Sequence, residues 1–140
     1  YYHGYTLFDK KGTDTGYPFG FGLSYTEFEI TEPSANLTAD GIAAEVTVKN
    51  IGKADGDEVV QIYVSSENKQ TDRPVKLLKG FSRTSVAAGE AKKISVNVEL
   101  DDIKFYNPES GEWEFDPAYT VYIGTDSRNV ISAGRIEIQR

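Results

Sequence analysis

The sequence predicts an all-β fold, a sandwich of about seven strands preceded by an extended arm. Three observations predict it. Short segments alternate apolar and polar residues with a period of two, as half-buried strands do. Glycine, proline, asparagine and aspartate punctuate those segments at turn-like intervals. No stretch carries a convincing helical period.

The elements follow in order. Residues 1–24 are dense in aromatics and glycines and show no regular alternation. Nine of the seventeen aromatics fall within residues 1–28. Asp9-Lys10-Lys11-Gly12 reads as a turn. Tyr17-Pro18-Phe19-Gly20-Phe21-Gly22-Leu23-Ser24-Tyr25 interleaves large rings with residues that turn tightly, so the backbone bends while its rings pack on another surface. Residues 1–24 are therefore an arm, and residues 25–140 the sandwich. Thr26 to Ile30 starts the first strand. Ala44, Val46 and Val48 alternate with Glu45, Thr47 and Lys49. Asn50-Ile51-Gly52 begins a turn. Val59 to Val64 is apolar on both faces, which places it centrally in a sheet. Leu77, Leu78 and Phe81 follow Arg73-Pro74. Ile94, Val96, Val98 and Leu100 alternate with polar residues after the Ala88-Gly89-Glu90 turn. Tyr119, Val121 and Ile123 form the penultimate strand, and Ile136 and Ile138 the last. Pro117-Ala118-Tyr119 resembles a tyrosine corner, where a phenol bonds back to the backbone. The cysteine pair of antibody domains is absent, so the immunoglobulin-like sandwich is expected to be of fibronectin type III type.

Composition narrows the function. At 140 residues the chain is one domain with an added segment, long enough for a real core. A net charge of -7 argues against nucleic acid and against an anionic membrane surface as partners. No apolar run reaches membrane-spanning length. There is no cysteine, hence no disulfide framework and no thiolate chemistry, and no methionine, which suggests that the chain begins within a larger protein. The compartment stays open, cytoplasmic or secreted.

Residues able to carry chemistry are few. His3 is the sole histidine, and without placed partners it makes neither a metal site nor a catalytic triad. Gly20-Phe21-Gly22 lacks the lysine and helix of a phosphate loop. Asp55, Asp57, Glu58, Asp101 and Asp102 read as solvated loop acids, because their spacing is too sparse for a calcium loop. No pair among them has the cleft that glycoside hydrolysis requires. The expectation is no catalytic residue, no cofactor and no metal. Trp113 in Glu112-Trp113-Glu114-Phe115 has two readings. Its alternation favours packing on the core, whereas an exposed ring would stack on sugars together with Tyr106 and Tyr122.

Residues 17–28, Tyr-Pro-Phe-Gly-Phe-Gly-Leu-Ser-Tyr-Thr-Glu-Phe, resemble the junction of glycoside hydrolase family 3 enzymes. There it joins an α/β-sandwich catalytic domain to a C-terminal fibronectin type III-like domain. The similarity continues in order through Val46–Gly52, Gly56–Val64, Arg73–Phe81, Ala88-Gly89-Glu90 and Asp116–Val121, and Tyr1 to Phe8 is similar to a Tyr-x-x-Gly-Tyr stretch late in the α/β domain. Ala88, and Pro117-Ala118 before Tyr119, depart from the usual turn residues only.

The resemblance implies a non-catalytic accessory domain of a retaining β-glucosidase that hydrolyses terminal β-D-glucosides. The nucleophile and general acid would lie upstream. Its partners would be the catalytic domains of the same enzyme, with carbohydrate met only indirectly. Tyr17, Phe19, Phe21 and Tyr25 would pack between domains, and residues 65–76 are the best loop to border the substrate cleft. The alternative is a carbohydrate- or polymer-binding module of that enzyme, using Tyr106, Trp113 and Tyr122.

Overall fold

A computed structural model of the chain describes residues 2–68 and 72–138. Among them lie a helix, α1 (Gly4–Lys11), and nine strands: β1 (Phe28–Leu37), β2 (Gly41–Asn50), β3 (Gly56–Ser66), β4 (Leu77–Val86), β5 (Ala91–Glu99), β6 (Phe105–Asn107), β7 (Glu112–Glu114), β8 (Ala118–Gly124) and β9 (Val130–Glu137). The seven long strands correspond in order to the seven expected, although β9 begins at Val130, ahead of the expected Ile136, and Leu100 falls in a short 3-10 turn after β5. They form two antiparallel sheets, of order β1-β2-β5 and β4-β3-β8-β9, while β6 and β7 pair only with each other.

Side chains of period two from both sheets fill the interior. Ile42, Ala44, Val46 and Val48 of β2 meet Val60, Ile62 and Val64 of β3 and Val121 and Ile123 of β8 in one buried cluster. Each of these valine and isoleucine side chains contributes roughly 1.5–3 kcal/mol of burial. Asn50 ends β2 fully buried, yet no atom of its amide lacks a partner. Its Nδ2 donates to the carbonyls of Ala54 (2.8 Å) and Val86 (2.9 Å), and its Oδ1 accepts from Thr26 Oγ1 at 2.7 Å and the Gly52 amide at 3.1 Å.

The first strand and the arm depart from expectation for physical reasons. The first strand begins at Phe28 and continues past Ile30 to Leu37. It crosses Pro33 through a bulge between Thr31 and Ser34, with Glu32 at a φ of 54°. An edge strand tolerates such a proline because its outward amide has no ladder partner to lose. The arm is not extended throughout, since Gly4–Lys11 is helical. Thr6 closes its first turn: its hydroxyl accepts from the His3 amide at 3.2 Å and donates to the His3 carbonyl at 2.8 Å. Gly12 closes the other end in the left-handed region, φ 61°.

The tyrosine corner is present. The Tyr119 hydroxyl accepts from the Asp116 amide at 2.8 Å and donates to the Ile103 carbonyl at 3.1 Å. It thereby ties the start of β8 to the turn that follows β5.

Candidate functional site

The outer face of the β4-β3-β8-β9 sheet carries the arm. This explains why β3 is apolar on both sides: Tyr63, on its outer face, is completely buried. The Tyr63 hydroxyl donates to Gln61 Oε1 at 2.6 Å, and Gln61 Nε2 donates to the Thr125 carbonyl at 2.7 Å. Burial pushes the Tyr63 phenol well above its ordinary range, and burial likewise raises Tyr5.

The arm is held at both ends of this row. Tyr5 stacks on Phe19 with ring centroids 5.0 Å apart, and its hydroxyl accepts from the Leu78 amide at 2.9 Å. Asp9 pairs with the buried Lys76 at 2.5 Å. The Phe19 carbonyl accepts from the Ser127 amide at 2.8 Å, and Arg128 reaches the Thr15 carbonyl at 3.1 Å. Between these anchors Pro18 to Phe21 forms a turn closed by the Phe21 amide on the Pro18 carbonyl at 3.1 Å. Gly20 sits third in it with a φ of 82°, and a Cβ there would lie 2.4 Å from the Gln61 amide group. Only glycine satisfies both conditions.

The arm's outward surface is apolar. Tyr17 is 75% exposed, Leu23 91%, and Tyr25 fully so. Phe19 and Phe21 are half exposed, and Tyr17 contacts Phe21 at 5.1 Å between centroids. Sequence reasoning missed one further residue of this face. Phe81 of β4 lies opposite Gln61 in register, hence on the side the arm covers, and is 69% exposed. Its position in an alternating strand was legible, but that its face would stay partly open was not.

A second surface lies beside the β6–β7 hairpin. Tyr106 and Trp113 are directly opposite in register and meet edge-on at 5.9 Å. They are 53% and 66% exposed, so the packing that alternation favoured for Trp113 does not occur. Phe115, beyond the end of β7, does pack on the core. Tyr122 is not with them. It is half-buried in β8 and lines the cleft beneath the arm with Tyr5 and Phe19.

The hairpin is held by Arg73. Its guanidinium lies 3.6 Å from the centroid of Phe105 and pairs with the buried carboxylate of Asp116. That carboxylate also accepts from Ser66 Oγ at 2.6 Å and Asn68 Nδ2 at 3.1 Å. Between the hairpin, β4 and the start of the arm opens a groove of about 850 Å³. Its rim carries the exposed Lys10–Asp72 pair at 2.8 Å; Lys10, with help from Tyr2, holds the Asp72 carboxyl below its usual range. The loop expected at residues 65–76 contributes Ser66, Asp72, Arg73 and Pro74 to this groove, while residues 69–71 lie outside the described set. Among the described residues no group of three or more potential ligands could hold a metal ion.

Comparison with known proteins places these surfaces in context. The family described as fibronectin type III-like domain matches residues 58–127. A β-glucosidase of Kluyveromyces marxianus is 39% identical over 140 residues, covering 98% of this chain and 17% of that protein. Its crystal structure superimposes with a TM-score of 0.89 over 97% of this chain, again 17% of its own. A GH3 β-glucosidase of Bifidobacterium adolescentis superimposes with a TM-score of 0.88 at 31% identity, covering 96% of this chain and 20% of that one. The chain thus spans about a sixth of the length of the curated relatives it matches.

Proposed function

Since the chain belongs to the fibronectin type III-like domain family, we propose that it serves as a non-catalytic accessory domain of a longer family 3 β-glucosidase. That enzyme would be a retaining one acting on terminal β-D-glucosides. The domain's task is to dock on the catalytic domains and stiffen them. One observation carries this reading: the arm buries one side of its aromatics on the sheet and leaves Tyr17, Leu23 and Tyr25 open. An apolar face of that kind marks an interface. Phe81 extends the same face across β4. Tyr17, Phe19, Phe21 and Tyr25 are the interdomain residues in this account.

The test has two arms. The purified chain is assayed on an aryl β-glucoside, and the longer enzyme is compared with and without this segment by thermal unfolding. No turnover by the chain, with a lowered unfolding temperature on its removal, is expected. Turnover by the chain alone overturns the reading.

A further inference from the structure

The groove beside the hairpin is not explained by docking through the arm. Its volume, about 850 Å³, is in the range of ligand sites. One wall is the Tyr106–Trp113 pair, and Phe105, Pro74 and Leu77 add apolar lining. Exposed indole and phenol rings offer an apolar face with a polar tip, suited to a ligand that is both hydroxylated and rich in C–H.

Its charges are mostly spent. Lys10 pairs with Asp72, Lys104 with Asp101, and Arg73 with Asp116. Lys79 differs: it is half-buried, lines the groove, and makes no ion pair among the described residues. It is also the extra residue of a β-bulge. Ile62 pairs with Gly80 and Tyr63 with Leu78, so Lys79 has no register partner. A bulge re-aims the side chain it carries, and bulges gather beside binding sites. On a chain of net charge -7, a groove whose one unmatched charge among the described residues is positive selects an anion. Neither Glu112 nor Glu114 lines the groove, and the Glu114 carboxylate is taken up by Asn107 Nδ2 at 3.1 Å and by Ser110 Oγ.

We propose that this groove binds a short oligosaccharide bearing a carboxylate, a sugar ring stacking on Trp113 and the carboxylate on the Lys79 ammonium. The choice of a sugar rests on the reading of the chain as part of a glycosidase. A subsite on the accessory domain would hold a glycan near the enzyme and raise its effective concentration.

Trp113 is the only tryptophan, so intrinsic fluorescence of the chain reports on the site directly. The chain is titrated with a glucuronic acid-bearing xylo-oligosaccharide and with its uncharged counterpart. A saturable change is expected, with the acidic sugar bound at least about three-fold more tightly, the contrast expected of one exposed charge pair. Lys79→Gln should remove that preference. Trp113→Ala, followed by calorimetry, should weaken binding by roughly ten-fold or more. Urea unfolding of both variants checks that each is folded. Absence of saturation with either sugar overturns the proposal and leaves the groove to a protein contact. Equal affinity for both sugars, or an unchanged preference in Lys79→Gln, overturns it as well. None of these outcomes touches the docking reading, whose test is the assay of the chain and the truncated enzyme.

Discussion

The ring of Tyr5 meets the ring of Tyr63 edge-on, with centroids 5.9 Å apart and planes inclined by 81°. One belongs to the arm and the other to the central strand. Their contact makes the arm part of the domain's stability as well as part of its surface.

That contact predicts alkaline sensitivity. Burial raises both phenols above their ordinary value near 10. A phenol whose pKa is higher in the folded state gives stability that is fully present below the unfolded pKa and is lost as pH rises above it. Unfolding free energy should therefore begin to fall near pH 10, by up to about 1.4 kcal/mol per pH unit for each phenol. Urea titrations between pH 8 and 11 measure the slope. Tyr63→Phe should flatten it, and an unchanged slope in that variant would count against the assignment.

Gly20→Ala should dislodge the arm. The new Cβ meets Gln61 at 2.4 Å while φ stays at 82°, and strain of this kind costs about 1–3 kcal/mol. Limited proteolysis should then cut within residues 12–24 well before the sandwich. Resistance equal to the parent chain would contradict the anchoring role of the Pro18–Phe21 turn.

Why Gly20 was legible and other features were not follows from the range of the interactions. A glycine between large aromatics points to a turn without any knowledge of the partner. The seven long strands were legible because burial of one face imprints a period of two on each. Helix α1 was missed although Lys10 and Lys11 in its last turn and Gly12 after it are ordinary end signals. Eight residues with a glycine at the start carry too little periodicity to be seen. Trp113 was misjudged because the parity it shares with Phe115 breaks where β7 ends. The pairing of Arg73 with Asp116 joins residues 43 apart, and nothing local announces it.

Two arginine–aspartate pairs should differ sharply in what they contribute. Asp116 is 1% exposed and pairs with Arg73, whereas Arg83 is 73% exposed on Asp57. Asp116→Ala removes the buried acceptor that Arg73, Ser66 and Asn68 share, so a loss of roughly 3–5 kcal/mol is expected. Arg83→Ala should cost no more than about 1 kcal/mol. Urea unfolding of the two variants side by side decides it, and comparable losses would mean that burial does not govern these pairs.

Removing the Tyr119 hydroxyl isolates a second polar network. Tyr119→Phe leaves the Asp116 amide without the acceptor it uses at 2.8 Å and the Ile103 carbonyl without its donor. Both groups lie in a buried region, so a loss of about 1–3 kcal/mol is expected with no change in fold. Thermal unfolding with a circular dichroism check measures both parts, and a neutral substitution would remove the corner from the list of stabilising contacts.

The exposed side chains of the arm should matter much more in one setting than in the other. Tyr17, Leu23 and Tyr25 have little to lose in the isolated chain, because each already faces solvent. Changing all three to serine should alter its stability by no more than about 0.5 kcal/mol per site, as for other surface substitutions. It should also reduce self-association by shrinking an exposed apolar patch. In a longer enzyme that covers these side chains, each would lose roughly 1.5–3 kcal/mol of burial. The same triple change should then lower the unfolding temperature of that enzyme by clearly more than it lowers that of the chain alone. Scanning calorimetry of both proteins gives the two numbers. Equal, small effects in both would mean that these side chains stay exposed in the assembled protein, and the docking face would have to be sought elsewhere on the sandwich.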